Sequence, residues 1–436
     1  IARNQMVFTS LEQSISEDNP VRFVDVFVEN IDLEALGFEL QTLKTEGRPS
    51  YSTKIFLKIY LYGYLNGLRS SRKLEKECVR NIELQWLLFG LVPNYHSISD
   101  FRKNNPSGLK MLFKVFVSFL KDADLIAGET IAIDGTKSRA HNSKKANFNQ
   151  KKIDKHLAYI EEKTQQYLDE LAQNDEKENS TTITKIQEKI ERLKKNKLRY
   201  EVLEEKLKAS GEPQISTTDE DSRALLVQGQ VVEVSYNIQA AVDAQYNLVV
   251  ATHTINRNDR NALSAIAIEA KENLGIETFT ALVDKGYHNG REITQCKEQN
   301  IITIVAHPDQ GKSNENGTQP DYFVSKFIYN TDDDTYICPA NQVLKTTGRW
   351  HKKTRDRDSY DFKKYRTPAC KECPVKSLCT SRTGGREIDR SQYADAVAEN
   401  NQRYQANAQL YRKRQEINEH IFGTIKRQWG YNHTNL

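Results

Sequence analysis

The sequence predicts an α/β protein in which an all-helical N-terminal domain, residues 1–127, precedes a mixed five-stranded sheet with helices on both faces, residues 128–436. Two observations support this prediction. The first 127 residues carry apolar positions at helical spacing, whereas from residue 231 onward short apolar runs alternate with amphipathic helical segments. Helical and cysteine-rich segments at 150–210 and 309–390 interrupt this order, and we interpret both as insertions in loops.

The composition indicates a globular protein with a polar surface. Hydrophobic residues make up 38% and charged residues 28% of the chain, and no apolar run approaches the ~18 residues that span a bilayer. The formal charge of +4 is too small to establish a nucleic-acid partner. Between Lys345 and Arg390, however, 14 Lys and Arg stand against 6 Asp and Glu. This local excess suits contact with a polyanion, although a solvated basic surface is the plainer alternative.

The N-terminal 127 residues predict several helices joined by tight turns. The apolar stretch MLFKVFVSFL at 111–120 predicts a core helix, and Pro106 is expected to end the helix before it. Arg69 and Arg72 lie in the turn between two predicted helices. Short helices with basic turns are typical of DNA-reading modules, and also of ordinary small helical domains.

The element order of residues 128–436 predicts the arrangement of the sheet. A strand at Thr130–Ile133 precedes the helical hairpin at 150–210, whose heptad spacing and mixed charges indicate a solvated coiled coil. Two hairpin strands, VVEVSYNIQAAVDA and NLVVATHTIN, come next. A helix, the strand TFTALVD, a helix and the strand IITIVAHP follow, and a helical segment at 391–428 closes the chain. This order is that of the ribonuclease-H-like fold, in which the first and fourth strands are parallel neighbours.

Two strands of the predicted sheet end on an aspartate. Asp134 follows Thr130–Ile133, and Asp284 ends the strand that begins at Phe279. Since the two strands are expected to be parallel neighbours, both carboxylates are expected at one edge of the sheet. Close carboxylates repel unless a cation lies between them, and hard oxygen ligands suit Mg²⁺ or Mn²⁺ in a two-metal site. For Asp284 a helix cap is the alternative.

The last helical segment supplies candidates for a third acid. YRKRQEINEHIFGTIKRQWG contains Glu416 and Glu419, and Glu419 shares a helix face with Lys426 two turns further on. Glu419 could bind metal while the neighbouring Lys426 ammonium binds a DNA phosphate. This pairing favours Glu419 over Glu416 as the third acid. An amphipathic helix with ordinary surface charges is the alternative.

Four of the six cysteines are clustered in the second insertion. They are Cys338, Cys370, Cys373 and Cys379. The C-x₂-C pair is a good thiolate chelate, so the cluster predicts a structural Zn²⁺ site, in which His351 could replace one ligand. Reduced free thiols and disulfides are the alternatives.

Four stretches together resemble bacterial insertion-sequence transposases of the DDE type. PSYSTKIFLKIYLYGYLNGLRSSRKLEKEC with SISDFRK is similar to the N-terminal helical domain of this family, IAIDGTKSRA and ALVDKGYHNG to its two aspartate blocks, and YRKRQEINEHIFGTIKRQWGYNHTNL to its glutamate block. The resemblance implies that Asp134, Asp284 and Glu419 are the catalytic metal ligands. It also implies DNA contacts by basic and aromatic positions. These are Arg414, Lys426, Tyr411, Lys285, Arg69 and Arg72.

The resemblance further implies an activity and its partners. Such an enzyme binds the terminal inverted repeats of its element on double-stranded DNA, cleaves with Mg²⁺ or Mn²⁺ and joins the released 3′-hydroxyl to target DNA. It is expected to act as a homodimer in the bacterial cytoplasm, without a membrane partner. One alternative is an impaired or truncated transposase-derived DNA-binding protein, because the family usually continues past the glutamate helix. Another is a stand-alone ribonuclease-H-like nuclease.

Overall fold

The computed structural model describes residues 9–39, 51–175, 180–227, 231–308, 318–355 and 358–434. The chain divides into two compact units, Ile1–Ile126 and Ala127–Leu436. The first unit is helical and the second is mixed α/β.

The first unit packs helices around one apolar core. They are α1 (Pro20–Glu29), α2 (Thr53–Leu65), α3 (Ser71–Arg80), α4 (Ile82–Leu87), α5 (Tyr95–Asn104) and α6 (Pro106–Asp122). Leu57 and Ile59 of α2 are fully buried in this core. As predicted, the helix before Pro106 stops short of it. Pro106 then begins α6, because proline fits a first helical turn whose N–H groups have no partner within the helix.

The helix predicted at 111–120 is confirmed as part of α6, but only one side of it reaches the core. Leu112 and Val117 of α6 are buried, but Met111, Val115 and Phe119 are more than a third exposed. Apolar residues surround this helix on more sides than the core can cover, so part of them faces outward. None of the helices in the described ranges combines the length and apolar content needed to cross a membrane.

The second unit contains two sheets of five or more strands, a small two-stranded one and seven helices within its described residues. Its strands are β1 (Thr130–Arg139), β2 (Asn147–Asn149), β3 (Gln214–Ser216), β4 (Arg223–Val227), β5 (Val231–Asp243), β6 (Val249–Ile255), β7 (Phe279–Val283), β8 (Ile301–Val305), β9 (Ile328–Asn330), β10 (Thr335–Ile337), β11 (Val343–Arg355), β12 (Asp358–Arg366) and β13 (Ile388–Ser391). Its helices are α7 (Gln150–Asp175), α8 (Ser180–Ser210), α9 (Leu263–Leu274), α10 (Gly290–Glu298), α11 (Lys376–Cys379), α12 (Ala394–Ala406) and α13 (Ala408–Gly423).

The central sheet has the order β4-β5-β1-β7-β8, and β6 also pairs with β5. β1 is antiparallel to β5 and parallel to β7, and β7 is parallel to β8. The predicted parallel pairing of the first strand with the strand that precedes Asp284 is therefore confirmed.

The central sheet has one strand more than the five predicted. β4 pairs with the first residues of β5, in a register that sets Arg223 opposite Ser235. β6 covers β5 only from Asn237 to Val242, so the first part of β5 would otherwise be an unpaired edge. The chain that returns from the helical insertion supplies β4 at this edge.

The expected end of the first strand at Asp134 was also wrong. β1 runs on to Arg139, because its antiparallel pairing with β5 continues from Ile131 to Arg139. The parallel pairing with β7 stops at Ile133, opposite Val283. Asp134 therefore lies where the parallel pairing ends, although the strand itself continues.

Both faces of the central sheet are covered. Ile131, Ala132 and Ile133 are fully buried although consecutive residues of a strand point to opposite faces. On the face of Ala132, Ile417 of α13 belongs to the same apolar cluster. α9 packs against β5 and β6, and α12 packs against β8.

The predicted helical insertion at 150–210 is formed by α7 and α8, which pack against each other. Ile153 and Ile160 are buried on α7, and Ile186 and Ile190 on α8, with the spacings of seven and four that predicted the pair. Residues 176–179, in the predicted loop, lie outside the described residues.

The cysteine-rich insertion contains a second sheet that the sequence did not predict. β9 to β13 form it in the order β13-β12-β11-β10-β9, with every pairing antiparallel. Its core includes Tyr336, Leu344 and Tyr365. The strands were missed because β11 and β12 are rich in Lys, Arg and Thr, which masks the alternation of apolar residues. Residues 309–317, where this insertion was predicted to begin, lie outside the described part.

The predicted helical segment at 391–428 is divided in two. Asn407 separates α12 from α13, and its side chain donates a hydrogen bond to Arg403 O, an acceptor of the preceding turn. After α13, residues Thr424–Gln428 form one π-helical turn.

Candidate active site

Asp134 and Asp284 lie at the same edge of the central sheet. Each follows directly after the last parallel pair of β1 and β7, Ile133 and Val283. Asp134 Oδ1 accepts a hydrogen bond from Gly135 N at 2.7 Å, and Asp284 Oδ2 accepts one from Gly286 N at 3.3 Å. Asp284 thus also caps the short turn Lys285–Tyr287, so the capping alternative describes this residue correctly as well.

The guanidinium of Arg414, on α13, lies between the two carboxylates. Nη1 is 3.0 Å from Asp134 Oδ2, and Nη2 is 3.4 Å from Asp284 Oδ1. Burial raises the pKa of the Asp134 carboxyl above its ordinary value, while the Gly135 N–H and the charge of Arg414 oppose this rise. The cation thereby offsets the repulsion between two neighbouring acids. Arg414 had been predicted as a DNA contact, and no sequence signal placed it between the acids.

The structure does not bring Glu419 to the aspartate pair. Glu419 is exposed, and its Oε1 accepts a hydrogen bond from Gln415 Nε2 at 2.7 Å on the same helix. Glu416 is exposed too. The residues of α13 that face inward at this level are Ile417 and Asn418.

Asn418 is buried without a hydrogen bond. Only 1% of it is exposed, yet both its Oδ1 and its Nδ2 lack a partner within the described structure. It lies one helical turn after Arg414, whose Nε is also buried and unpaired. Unsatisfied buried polar atoms are costly, so these two side chains are unusual among the buried residues of α13.

Another acid, Asp259, lies beside this site and was not predicted from the sequence. It lies in the short turn between β6 and α9, and its Oδ1 accepts hydrogen bonds from Asn237 Nδ2 at 2.7 Å and Gln239 Nε2 at 3.0 Å. Lys137 Nζ is 3.4 Å from each of its oxygens. The available signal was the row of polar residues at alternate positions of β5, which ends with Asn237 and Gln239.

Gly135 allows these groups to approach β1 closely. A Cβ added at this position would lie 2.4 Å from Asp259 Oδ1, 2.4 Å from Gln239 Nε2 and 2.9 Å from Asn237 Oδ1. Any side chain would therefore displace the carboxylate and both amides. The Asp-Gly sequence is explained by this contact, since glycine leaves the space that Asp259 fills.

Three further residues predicted to contact DNA lie close to Arg414, Lys137 or Asp284. The Tyr411 ring lies 5.7 Å from the Arg414 guanidinium carbon and packs edge-on against Tyr404. Lys426, in the π-helical turn, donates a hydrogen bond to Lys137 O at 2.6 Å, and burial lowers its pKa. Lys285 is exposed directly after Asp284.

Arg69 and Arg72 belong to the first unit. Arg72, at the start of α3, lies over the ring of Tyr95 at 4.9 Å, and Arg69 is half-buried in the turn before α3. Arg69 lies in the turn between α2 and α3 that the sequence indicated, and Arg72 lies in the first turn of α3.

The four clustered cysteines line one small cavity of the insertion. All are free and half-buried, and Cys338 Sγ accepts a hydrogen bond from Gln342 N at 3.3 Å. His351 lies 5.6 Å from the ring of Phe362 and is not among the residues that line this cavity. No three His, Cys, Asp or Glu side chains in the described ranges are arranged to hold a metal ion, in this cavity or at the acidic site.

Two segments of the chain, one near each end, match known protein families. Residues 9–104 match the family described as "Transposase domain (DUF772)", and residues 337–436 match the "Transposase DDE domain" family. No curated protein and no solved structure matches the chain. The two matches support a transposase of the DDE type that insertion sequences encode. The first match includes Arg69 and Arg72 and the second includes Glu419, whereas Asp134 and Asp284 lie outside both.

Proposed function

We propose that this transposase binds the terminal inverted repeats of its own element and catalyses metal-dependent cleavage and transfer of DNA strands. The proposal rests on the position of Asp134 and Asp284, which follow the last pair of two neighbouring parallel strands. Both carboxylates bond the same cation, Arg414. The strand order β6-β5-β1-β7-β8 supports a ribonuclease-H-like core, to which β4 adds a sixth strand.

The catalytic ligands in this proposal are Asp134, Asp284 and Glu419. Carboxylate oxygens are the hard ligands that Mg²⁺ and Mn²⁺ prefer. Two such ions held by these residues would supply activation of the attacking oxygen and stabilisation of the leaving oxygen. The chain itself then holds the DNA strand in line and neutralises its phosphate charge with its basic residues.

The proposed DNA contacts are divided between the two units. Arg69 and Arg72 of the first unit would contribute to recognition of the element ends, while Lys285, Arg414, Tyr411 and Lys426 would hold DNA near the acids. We also propose a homodimer that works on paired ends. Structural Zn²⁺ at the four cysteines belongs to the proposal as well, since their thiols line one cavity.

The test is nicking of a labelled DNA that carries the terminal repeats of the element, with Mg²⁺ or Mn²⁺. The parent chain, Glu419→Gln and the matched control Glu416→Gln are compared, because both glutamates are exposed on the same helix. Cleavage by the parent and by Glu416→Gln, with loss in Glu419→Gln, is expected. Equal cleavage by all three chains would remove Glu419 from the catalytic set.

A second candidate is a transposase-derived DNA-binding protein that no longer cuts. The outward position of Glu419, apart from the aspartate pair, favours it. Binding of the terminal repeats without cleavage by any of the three chains would establish this candidate.

A further inference from the structure

We propose that the second unit contains a nucleotide-binding site, in the cavity between helices α10 and α12 and the second sheet. The ligand is defined by its chemistry, a planar nucleobase joined to a phosphate. Either an unpaired nucleotide of a DNA strand or a free nucleotide would supply it. The inference goes beyond the proposed function, because none of the DNA contacts proposed there lines this cavity.

The cavity is large enough for such a ligand. Its volume is about 620 Å³, and its lining comes from the start of α10, from α12 and from all five strands of the second sheet. Small-molecule sites in proteins usually have volumes of about 300–1,000 Å³. One nucleotide therefore fits by volume.

Phe and Tyr side chains form part of the cavity wall. They are Phe327, Tyr329, Tyr336, Tyr360, Phe362 and Tyr393. The rings of Tyr329 and Tyr336 have their centroids 5.0 Å apart, and those of Tyr360 and Phe362 6.4 Å apart. Every nucleobase has a flat π-face that stacks on such rings, so this wall suits a base of any identity.

The charges that line the cavity favour an anion. The basic lining residues are Arg260, Arg291, Lys353 and Arg390. Among the described lining residues Asp389 is the one acid, and its Oδ2 lies 3.8 Å from Lys353 Nζ. Arg390 also bonds Asp395, which does not line the cavity. Even with Asp395 counted, four basic side chains stand against two acids, which suits a phosphate.

Arg390 is held in place at the cavity wall. Its guanidinium carbon lies 3.6 Å from the centroid of the Tyr329 ring, and its Nη1 donates a hydrogen bond to the Tyr336 hydroxyl at 3.2 Å. Only 11% of its side chain is exposed. A guanidinium has five N–H donors, more than its bonds to Tyr336 and Asp395 use, and it can bind two phosphate oxygens at once. Arg390 can therefore bind the phosphate while the neighbouring rings stack on the base.

The cavity adjoins the segment that follows Asp284. His288, Asn289 and Gly290 line it, and His288 is the fourth residue after Asp284. Since an extended chain spans at most about 3.6 Å per residue, His288 lies within roughly 14 Å of Asp284. A DNA strand advances about 3.4 Å per nucleotide. A strand that passes the acids can therefore reach the cavity within a few nucleotides, and this source of the ligand rests on the proposed function.

The first experiment uses the unaltered chain without added Mg²⁺ or Mn²⁺, so it depends neither on the folding of a variant nor on metal at the acids. Three probes each carry one 5-iododeoxyuridine: the free monophosphate, a single-stranded oligonucleotide and a duplex with the terminal repeats. Ultraviolet light cross-links each probe to the chain, and mass spectrometry locates the attachment. We expect attachment to aromatic lining residues, at Tyr329, Tyr336, Tyr360 or Tyr393.

The probes distinguish the two sources of the ligand. Attachment of the monophosphate in the cavity means that free nucleotides bind there. Attachment of the DNA probes alone means that the site takes an unpaired nucleotide of a strand. If none of the three probes attaches to a lining residue, the inference is overturned.

The second experiment measures the affinity of the probe that attaches, again without divalent metal. Tyr360→Ala removes a half-buried ring of the cavity, and Tyr246→Ala, at an exposed tyrosine outside the lining, is the matched control. Loss of one stacking ring should weaken binding at least about fivefold, whereas the control should bind like the parent. Thermal unfolding verifies that both variants are folded. Equal affinity of Tyr360→Ala and the parent would overturn the inference, while the proposed function, tested by cleavage at the acids, would stand.

Discussion

The acidic site and the cysteine cavity bring their side chains together in different ways. Asp134 and Arg414, which bond each other, are 280 positions apart in the chain. The acidic site therefore depends on strand pairing and helix packing across the second unit. The cysteines come from one insertion, between Cys338 and Cys379, beside a sheet of their own. A local change in the insertion should thus leave the acids in place, whereas a small change on β1 should disrupt them.

The two clusters also differ in electrostatics. The acids repel one another and are held by Arg414, Lys137 and buried amides. The thiols are neutral when protonated, and burial raises the pKa of Cys379. Neutral thiols can therefore be half-buried without a cation, but carboxylates at this spacing require one.

The largest expected effect is that of Gly135→Ala. The added methyl would lie 2.4 Å from both Asp259 Oδ1 and Gln239 Nε2, so β1 or the carboxylate must shift. A displacement of about 1 Å can cost roughly 100-fold in rate, and we expect at least this loss in metal-dependent DNA cleavage. Initial rates on terminal-repeat DNA measure it.

Gly286→Ala is the matched control for this prediction. Its methyl would make only ordinary contacts, at 3.6 Å from Asp284 Oδ2 and 3.8 Å from Asp259 Oδ2. We expect cleavage within a few-fold of the parent. Equal losses in the two variants would contradict the packing around Gly135.

Cys373→Ser should change the cysteine cavity and leave the acidic site unaffected. If the cysteines hold zinc, elemental analysis finds about one zinc per parent chain and none in this variant, and the free energy of unfolding falls by more than about 2 kcal/mol. Mn²⁺ affinity at the acids should not change. The control is Cys296→Ser, at a lone buried thiol outside the cavity. A parent chain without zinc would rule out the metal and leave four free thiols.

The smallest expected effect is an increase in Mn²⁺ affinity. Arg414→Gln removes the cation that bonds both aspartates, so Mn²⁺ should bind about tenfold more tightly, the equivalent of about 1.4 kcal/mol. Arg412→Gln, at an exposed position of the same helix, is the control. Calorimetry without DNA gives both affinities. Weaker Mn²⁺ binding in Arg414→Gln would mean that the guanidinium supports the metal site instead of competing for it.

The succession of helices and strands along most of the central sheet could be predicted, because each of these elements shows a local pattern. The apolar runs and the heptad spacing of the insertion correctly indicated most elements of the second unit. The parallel pairing of β1 with β7 then followed from the order of these elements. This pairing alone was enough to predict that Asp134 and Asp284 lie side by side.

The remaining parts of the site depend on contacts between distant segments. Asp259 does not end its strand, and only the fold shows that Asn237 and Gln239 bond it. Arg414 carries the charge expected of a DNA contact, but its position between the acids depends on how α13 packs. β4 and the second sheet were missed because their strands lack a clear apolar alternation.

The most direct test of the central claim compares the parent chain with Asp284→Asn on DNA that carries the terminal repeats. DNA binding and Mg²⁺- or Mn²⁺-dependent cleavage are measured on the same samples. We expect the variant to lose cleavage and to keep DNA binding, because Asp284 is a proposed metal ligand and its replacement leaves the basic residues in place. Cleavage by Asp284→Asn at the parent rate would contradict the account, since the paired aspartates would then not be the catalytic site.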